Sequence, residues 1–251
     1  MENNKKKHIV AIVDGMGIGR YYSPEFKKHG YSCVNIQSSV VIPDAYKSSF
    51  LLNSYIDNLI FTENNLEEIV AKLQQYNVEY VIPGSEPGVE LADLISYKMH
   101  LPTTNLIDDS EARRNKFKMI EALKAHGLQT AEHVKSSKAK DIIKWAKKLN
   151  NWPIVLKPIK SAFTEGVYFC SNEAEIESRF NSIKNSINVY GDKNKEILAE
   201  SYLDGEQYLV NVVSFNKQHM LSDLWICKKQ SMGEYSLPIR LSHNFKFVVY
   251  F

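Results

Sequence analysis

Hydrophobic and polar positions divide the chain into two textures. Residues 9–13 (IVAIV) form a short continuous apolar run, the pattern of a strand covered on both faces. Runs at 32–36 and 59–61 are weaker strand candidates, and 80–82 is a good one. Between the last two, Leu66, Ile69, Val70 and Leu73 recur at helical spacing, with Asn64 or Asn65 placed to cap the start. Val89, Ala92, Ile95 and Met99 give a second stripe, entered from the turn Pro83-Gly84-Ser85. Strand and helix alternating in this way predict a parallel sheet with helices on its faces.

Residues 102–110 are turn-rich and mark the expected boundary between a unit at 1–108 and another at 109–251. Beyond it, Ser110 is placed to cap a helix carrying Phe117, Ile120 and Leu123, with Gly127 where a terminating glycine would stand. A second helix carries Ile142, Ile143, Ala146 and Leu149. Strands are then predicted at 154–157, 167–170, 197–201, 207–214 and 220–227, with a helix at 176–187. Strands that follow each other so closely imply an antiparallel sheet, so the second unit reads as α+β.

Composition changes this picture little. With 44% hydrophobic and 24% charged residues the chain is of globular type, and a net charge of +2 gives no reason to expect nucleic acid as a partner. Lys5, Lys6 and Lys7 read as a solvated tail. No run approaches the ~18 apolar residues of a membrane span, and the expected location is cytoplasmic with no membrane partner. Cys33, Cys170 and Cys227 are far apart and lack metal-site spacing, which predicts buried free thiols. A homodimer is left open.

Glycines at 15, 17 and 19 follow the first strand and invite a dinucleotide-binding reading. Their spacing is not G-x-G-x-x-G, and Asn35 and Gln37 stand where an acidic residue would be needed. A backbone role for these glycines is therefore preferred over an oxidoreductase cofactor site. No G-x-x-x-x-G-K-[ST] loop is present either.

Five segments carry more. These are 81–93 (VIPGSEPGVELAD), 113–120 (RRNKFKMI), 152–158 (WPIVLKP), 161–167 (SAFTEGV) and 200–205 (ESYLDG). In this order and spacing they resemble the ATP-grasp superfamily, nearest to the L-amino-acid ligases that join a carboxylate to an amine. The resemblance extends to about Lys229. It implies an α/β pre-ATP-grasp domain with a Rossmann-like parallel sheet, followed by an α+β ATP-grasp portion with an antiparallel sheet.

The resemblance also implies roles. Lys157, lying at the end of a buried strand where an unpaired lysine is rare, would contact ATP phosphates, and Lys116 would supply a second contact. The loop from Ser161 to Gly166 would be a flap whose amides close over the phosphates, against the plainer reading of a hairpin connection. Glu200, Ser201, Tyr202 and Leu203 would receive adenine, with Glu200 near its exocyclic amine. The family's ribose-binding glutamate falls at Gln207, with Glu206 one residue early. Glu86 and the turn at 83–88 are candidates to face the site, and Lys228 or Lys229 is either another phosphate contact or a surface pair.

The implied reaction makes an acylphosphate from ATP and an amino-acid or other small carboxylate, then captures it with an amine, with Mg2+ neutralising the transferred group. Metal-holding carboxylates are not identifiable: beyond Asp223 the one acidic residue is Glu234. No catalytic residue is assigned. The apolar stretch 245–251 reads as a sticky terminus if unpaired. Two expectations stay open, a chain cut short and a reduced relative without its metal site, the first being preferred. The alternative to a ligase is an inactive ATP-binding or regulatory remnant.

Overall fold

The structure, a computed structural model, describes residues 8–232 and 235–242. The tail lysines at 5–7, Glu234 and the stretch 245–251 lie outside the described residues. The chain divides into two compact units between Ala122 and Leu123.

The first unit runs β1 (His8–Val13), α1 (Tyr22–Lys28), β2 (Tyr31–Gln37), α2 (Asp44–Lys47), β3 (Asp57–Ile60), α3 (Leu66–Gln75), β4 (Val78–Pro83) and α4 (Val89–Lys98). Its sheet has the order β3-β2-β1-β4 with every pair parallel. β1 is central, and Val10, Ala11, Ile12 and Val13 are fully buried, as its continuous apolar run requires. Ile69 and Leu73 of α3 and Leu91, Ala92 and Ile95 of α4 pack on one face with Val34 and Ile36 of β2.

Local chemistry at helix ends differs from two expectations. Asn65 does hold the N-cap position of α3, but its side-chain oxygen accepts from Thr62 N–H at 2.8 Å rather than from the helix. Ser110 caps nothing: residues 107–113 form short 3-10 turns, and the Ser110 hydroxyl donates to buried Asp93 at 2.6 Å. The next helix, α5 (Lys116–Ala125), starts later, with Asn115 accepting from Lys118 N–H. Its far end follows expectation. Gly127 has φ +75°, Leu128 N–H reaches Leu123 O and Gly127 N–H reaches Lys124 O, the paired bonds of a Schellman ending.

The glycine loop after β1 is spent on structure. Amides of Gly15, Gly17 and Gly19 donate to Asn35 Oδ1, Ser49 Oγ and Met16 O. A methyl group on Gly19 would lie 2.2 Å from Gly84 O, so the loops following β1 and β4 touch backbone to backbone. With its amides turned inward this loop offers no phosphate cradle. Asp14 opens it in a left-handed conformation and is buried. Burial pushes its carboxyl above the usual range, while the hydroxyl and amide of Ser38 donate to it and oppose the shift.

The second unit continues with β5 (His133–Ser136), α6 (Ala139–Leu149), β6 (Ile154–Pro158), β7 (Tyr168–Cys170), α7 (Glu173–Asn185) and β8 (Ile197–Ser201), then β9 (Gln207–Phe215), β10 (Gln218–Met232) and β11 (Tyr235–Ser242). β5, β8, β6 and β7 form an antiparallel sheet in that order. α6 and α7 cover one face, burying Ile142, Ala146, Ile176, Phe180 and Ile183 against Ile154, Leu156, Ile197 and Ala199. β9, β10 and β11 form a separate antiparallel sheet, with Leu209, Val210, Val212 and Val213 of β9 exposed. β5 and β11 have no counterpart among the strands expected from the sequence: HVKS is too polar and too short to announce itself.

All three cysteines are free and buried. Burial raises the thiol of Cys33 and pushes that of Cys170 up to about 12. An aromatic disulfide reagent at pH 8 is therefore expected to leave Cys33 and Cys170 unlabelled in the native protein and to label both in urea, read by peptide mass. Prompt native labelling at either position would contradict this burial.

Candidate functional site

The sheet of the second unit places its polar residues by strand parity. Ile154, Leu156 and Pro158 of β6 are buried, whereas Val155 and Lys157 between them belong to the other face. Register with β8 pairs Val155 with Glu200 and Lys157 with Leu198. Lys157 and Glu200 are thus diagonal neighbours on the face away from α6 and α7. Lys157 Nζ lies 2.7 Å from Glu200 Oε2, and the two side chains retain only 22% and 12% of their exposure. Glu200 Oε1 is buried and has no hydrogen-bond partner among the described residues. A carboxylate oxygen left in this state costs about 1–3 kcal/mol or more, so the site is built to accept a further donor.

The loop joining β6 to β7 has a fixed base and an open tip. Ser161 is buried, and its hydroxyl donates to Glu165 Oε2 at 2.5 Å. The same oxygen accepts Val189 N–H at 2.9 Å, which ties the loop to a segment 24 residues away. Gly166, at φ +67°, closes the base against Pro158. At the tip, the amides of Ala162, Phe163 and Thr164 make no hydrogen bond among the described residues. Phe163 and Thr164 have φ +57° and +58°, and Phe163 is 70% exposed. Left-handed backbone costs a residue with a Cβ roughly 1–2 kcal/mol, and a β-branched residue there is an outlier.

Beyond β8 the expected adenine segment divides. Ser201 is buried, its amide donates to Glu132 O at 2.8 Å, and its hydroxyl accepts from Glu132 N–H. Its own N–H is therefore committed inside the fold. Tyr202 is half-buried with its ring 5.8 Å from that of Phe169, edge to face, and Leu203 is 64% exposed. Gln207 is exposed at the start of β9, opposite Cys227 of β10. Glu206 is occupied by its neighbour, accepting from the Tyr208 phenol at 2.7 Å, a bond that raises the phenol's pKa.

Lys116 belongs to the first unit, where it is the half-buried first residue of α5. Glu86 is exposed in a short 3-10 turn of that unit, next to Ser85, whose hydroxyl is buried without a partner among the described residues. Side chains of Lys228 and Lys229 lie outside the described set. Among the described residues no group of three or more His, Cys, Asp or Glu converges to hold a metal, and no helix is long and apolar enough to cross a membrane.

Sequence reasoning missed two residues that tie this region together, Glu165 through its carboxylate and Glu132 through its main chain. Glu165 acts through a main-chain amide at position 189 and Glu132 through one at 201, and no local spacing encodes either contact.

The strands that carry the lysine–glutamate pair, β6 and β8, lie in the part of the chain that a family model matches. Residues 150–236 match the ATP-grasp domain model, and the chain as a whole resembles the ATP-grasp ligases. At the level of an individual protein, it is 31% identical over 228 residues to dapdiamide A synthase of Enterobacter agglomerans, covering 91% of this chain and 53% of that one. In fold it is similar to an L-amino acid ligase from Bacillus licheniformis, with TM-score 0.67, 16% identity, and 94% and 53% of the two chains covered. An N5-carboxyaminoimidazole synthetase from Staphylococcus aureus complexed with ADP gives TM-score 0.67 at 18% identity, covering 90% and 57%. The chain spans about half the length of the relatives it matches.

Proposed function

We propose that this chain carries the nucleotide-clamping part of an ATP-dependent carboxylate–amine ligase of amino-acid type, with a pre-ATP-grasp domain at 1–108 and the ATP-grasp portion from 109. The single observation that carries the ATP assignment is the buried Oε1 of Glu200, without a partner among the described residues, beside the Lys157 ammonium. An adenine 6-amino group is a donor of the kind this oxygen lacks. Lys157 supplies a cation for the phosphates, and the tip amides of residues 162–164 supply donors for their oxygens. Because Ser201 N–H is engaged by Glu132, base-edge contacts fall to the main chain of Tyr202 and Leu203. Gln207 is the ribose contact, a neutral group weaker than the family's carboxylate. The family resemblance makes Lys116 a second phosphate contact.

ATP activates a carboxylate, as it does across this class of ligases, and an amine then captures the activated acid. Mg2+ would neutralise the transferred phosphate in that step, although among the described residues no group of three or more His, Cys, Asp or Glu converges. The second reading is an ATP-binding chain that does not itself ligate. Titration by calorimetry tests the assignment. ATP is expected to bind roughly 10–100-fold tighter than GTP, whose 6-oxo group presents an acceptor to Glu200 instead of a donor. Equal affinity for the two nucleotides would remove the adenine reading. Under conditions where ATP binds, release of ADP with an amino-acid pair distinguishes ligation from binding alone.

A further inference from the structure

Phe163 is a costly choice at its position. Its backbone lies in the left-handed region, where glycine sits without strain, and the next residue, Thr164, lies there too. The phenyl ring recovers nothing in the free protein, because it is 70% exposed. Thr164 Oγ1 donates to Phe163 O at 2.6 Å, a local bond that helps hold the bend without involving the ring. Below this tip the loop is held by Ser161 and Val189 on Glu165, whereas the tip amides at 162–164 make no hydrogen bond among the described residues. A strained backbone that presents an unburied aromatic ring beside three such open amides has its compensation in another state.

We propose that Phe163 is a positioning residue of the flap. When the tip amides engage the nucleotide's phosphates, the ring folds down over them, excludes water from the transferable phosphate and slows nucleotide escape. This rests on the ATP reading of Lys157 and Glu200, and it adds a specific residue that neither residue spacing nor the resemblance assigns. The ring makes no bond to the phosphates. Its contribution is removal of apolar surface from water on closure, and therefore appears as a slower dissociation rate.

Wild type, Phe163→Gly and Phe163→Leu, each melted without ligand and titrated with ATP, test it, and Phe163→Trp serves as a fluorescent reporter. Phe163→Gly is expected to melt at or above the wild-type temperature, because strain is relieved and no packing is lost. It should nevertheless bind ATP about tenfold more weakly, mainly through faster release in stopped flow. Phe163→Leu keeps an apolar tip and should bind within about threefold of wild type. In Phe163→Trp, the introduced indole should shift its emission to the blue when ATP is added. If Phe163→Gly binds and releases ATP as the wild type does, the inference falls while the ATP site stands. If Phe163→Gly melts below wild type, the ring packs in the free protein and the inference also falls. Failure of the wild type itself to bind ATP would take down both readings.

Discussion

Lys157→Ala is expected to cut ATP affinity by about 30–100-fold and to destabilise the second unit at the same time. The first effect follows if Lys157 is the phosphate cation, as proposed above. The second comes from Glu200, whose Oε2 would lose its 2.7 Å partner while Oε1 already has none among the described residues. A carboxylate only 12% exposed would then be buried without compensation, which costs about 3–5 kcal/mol in comparable buried pairs. Since Lys157 retains 22% exposure, the lower end of that range applies. The two effects separate in the double variant Lys157→Met with Glu200→Gln. Removing both charges should restore most of the stability in a urea melt, yet leave ATP binding lost in calorimetry. A single Lys157→Ala variant that binds ATP within threefold of wild type would sink the clamp assignment.

Gly19→Ala is expected to be the most damaging single methyl group in the first unit. Its Cβ would stand 2.2 Å from Gly84 O and 2.6 Å from both Gly84 C and Cα, so the clash is with backbone. Gly84 cannot retreat: its amide is bonded to Val13 O at 2.7 Å, and its own Cα faces Asp14 O and Gly15 Cα. Overpacking of this kind costs roughly 3 kcal/mol, at the upper end of the usual range, because neither loop has a free rotamer to move. Gly30→Ala provides the comparison. Gly30 has φ +83° with nothing within 4 Å of an added methyl, so only the backbone term remains, about 1–2 kcal/mol. Thermal melts of the two variants should therefore rank Gly19→Ala well below Gly30→Ala. The reverse order would show that the loops after β1 and β4 do not touch as described.

Much of the architecture was legible in the residues. The unbroken apolar run of β1 reads as a strand covered on both faces, and its last four residues are fully buried. Helical spacing located α3, α4, α6 and α7, and Gly127 ended α5 through a motif that needs a left-handed residue. Ser110 misled because a serine before an apolar stripe is a good cap only if the helix starts there. The buried Asp93 carboxylate, 17 residues earlier, claimed its hydroxyl instead. The β5 strand was illegible because its order comes from pairing with β8, and a four-residue polar segment carries no period of its own.

The nucleotide roles came only from a family resemblance; the sequence by itself determined most of the strands and helices in order and the α/β then α+β texture. Those properties are local, set by side-chain periodicity and by turn chemistry. Only the tertiary structure decided that Lys157 meets Glu200, because their diagonal contact depends on the antiparallel register of β6 and β8, 43 residues apart in the chain. It likewise decided that Ser201 spends its amide on Glu132, that the β6–β7 loop is anchored through Glu165 to Val189, and that the glycine amides after β1 turn inward. Each of these is a hydrogen bond or ion pair between distant positions, and the energy of such a contact is fixed by geometry that no neighbouring residue records.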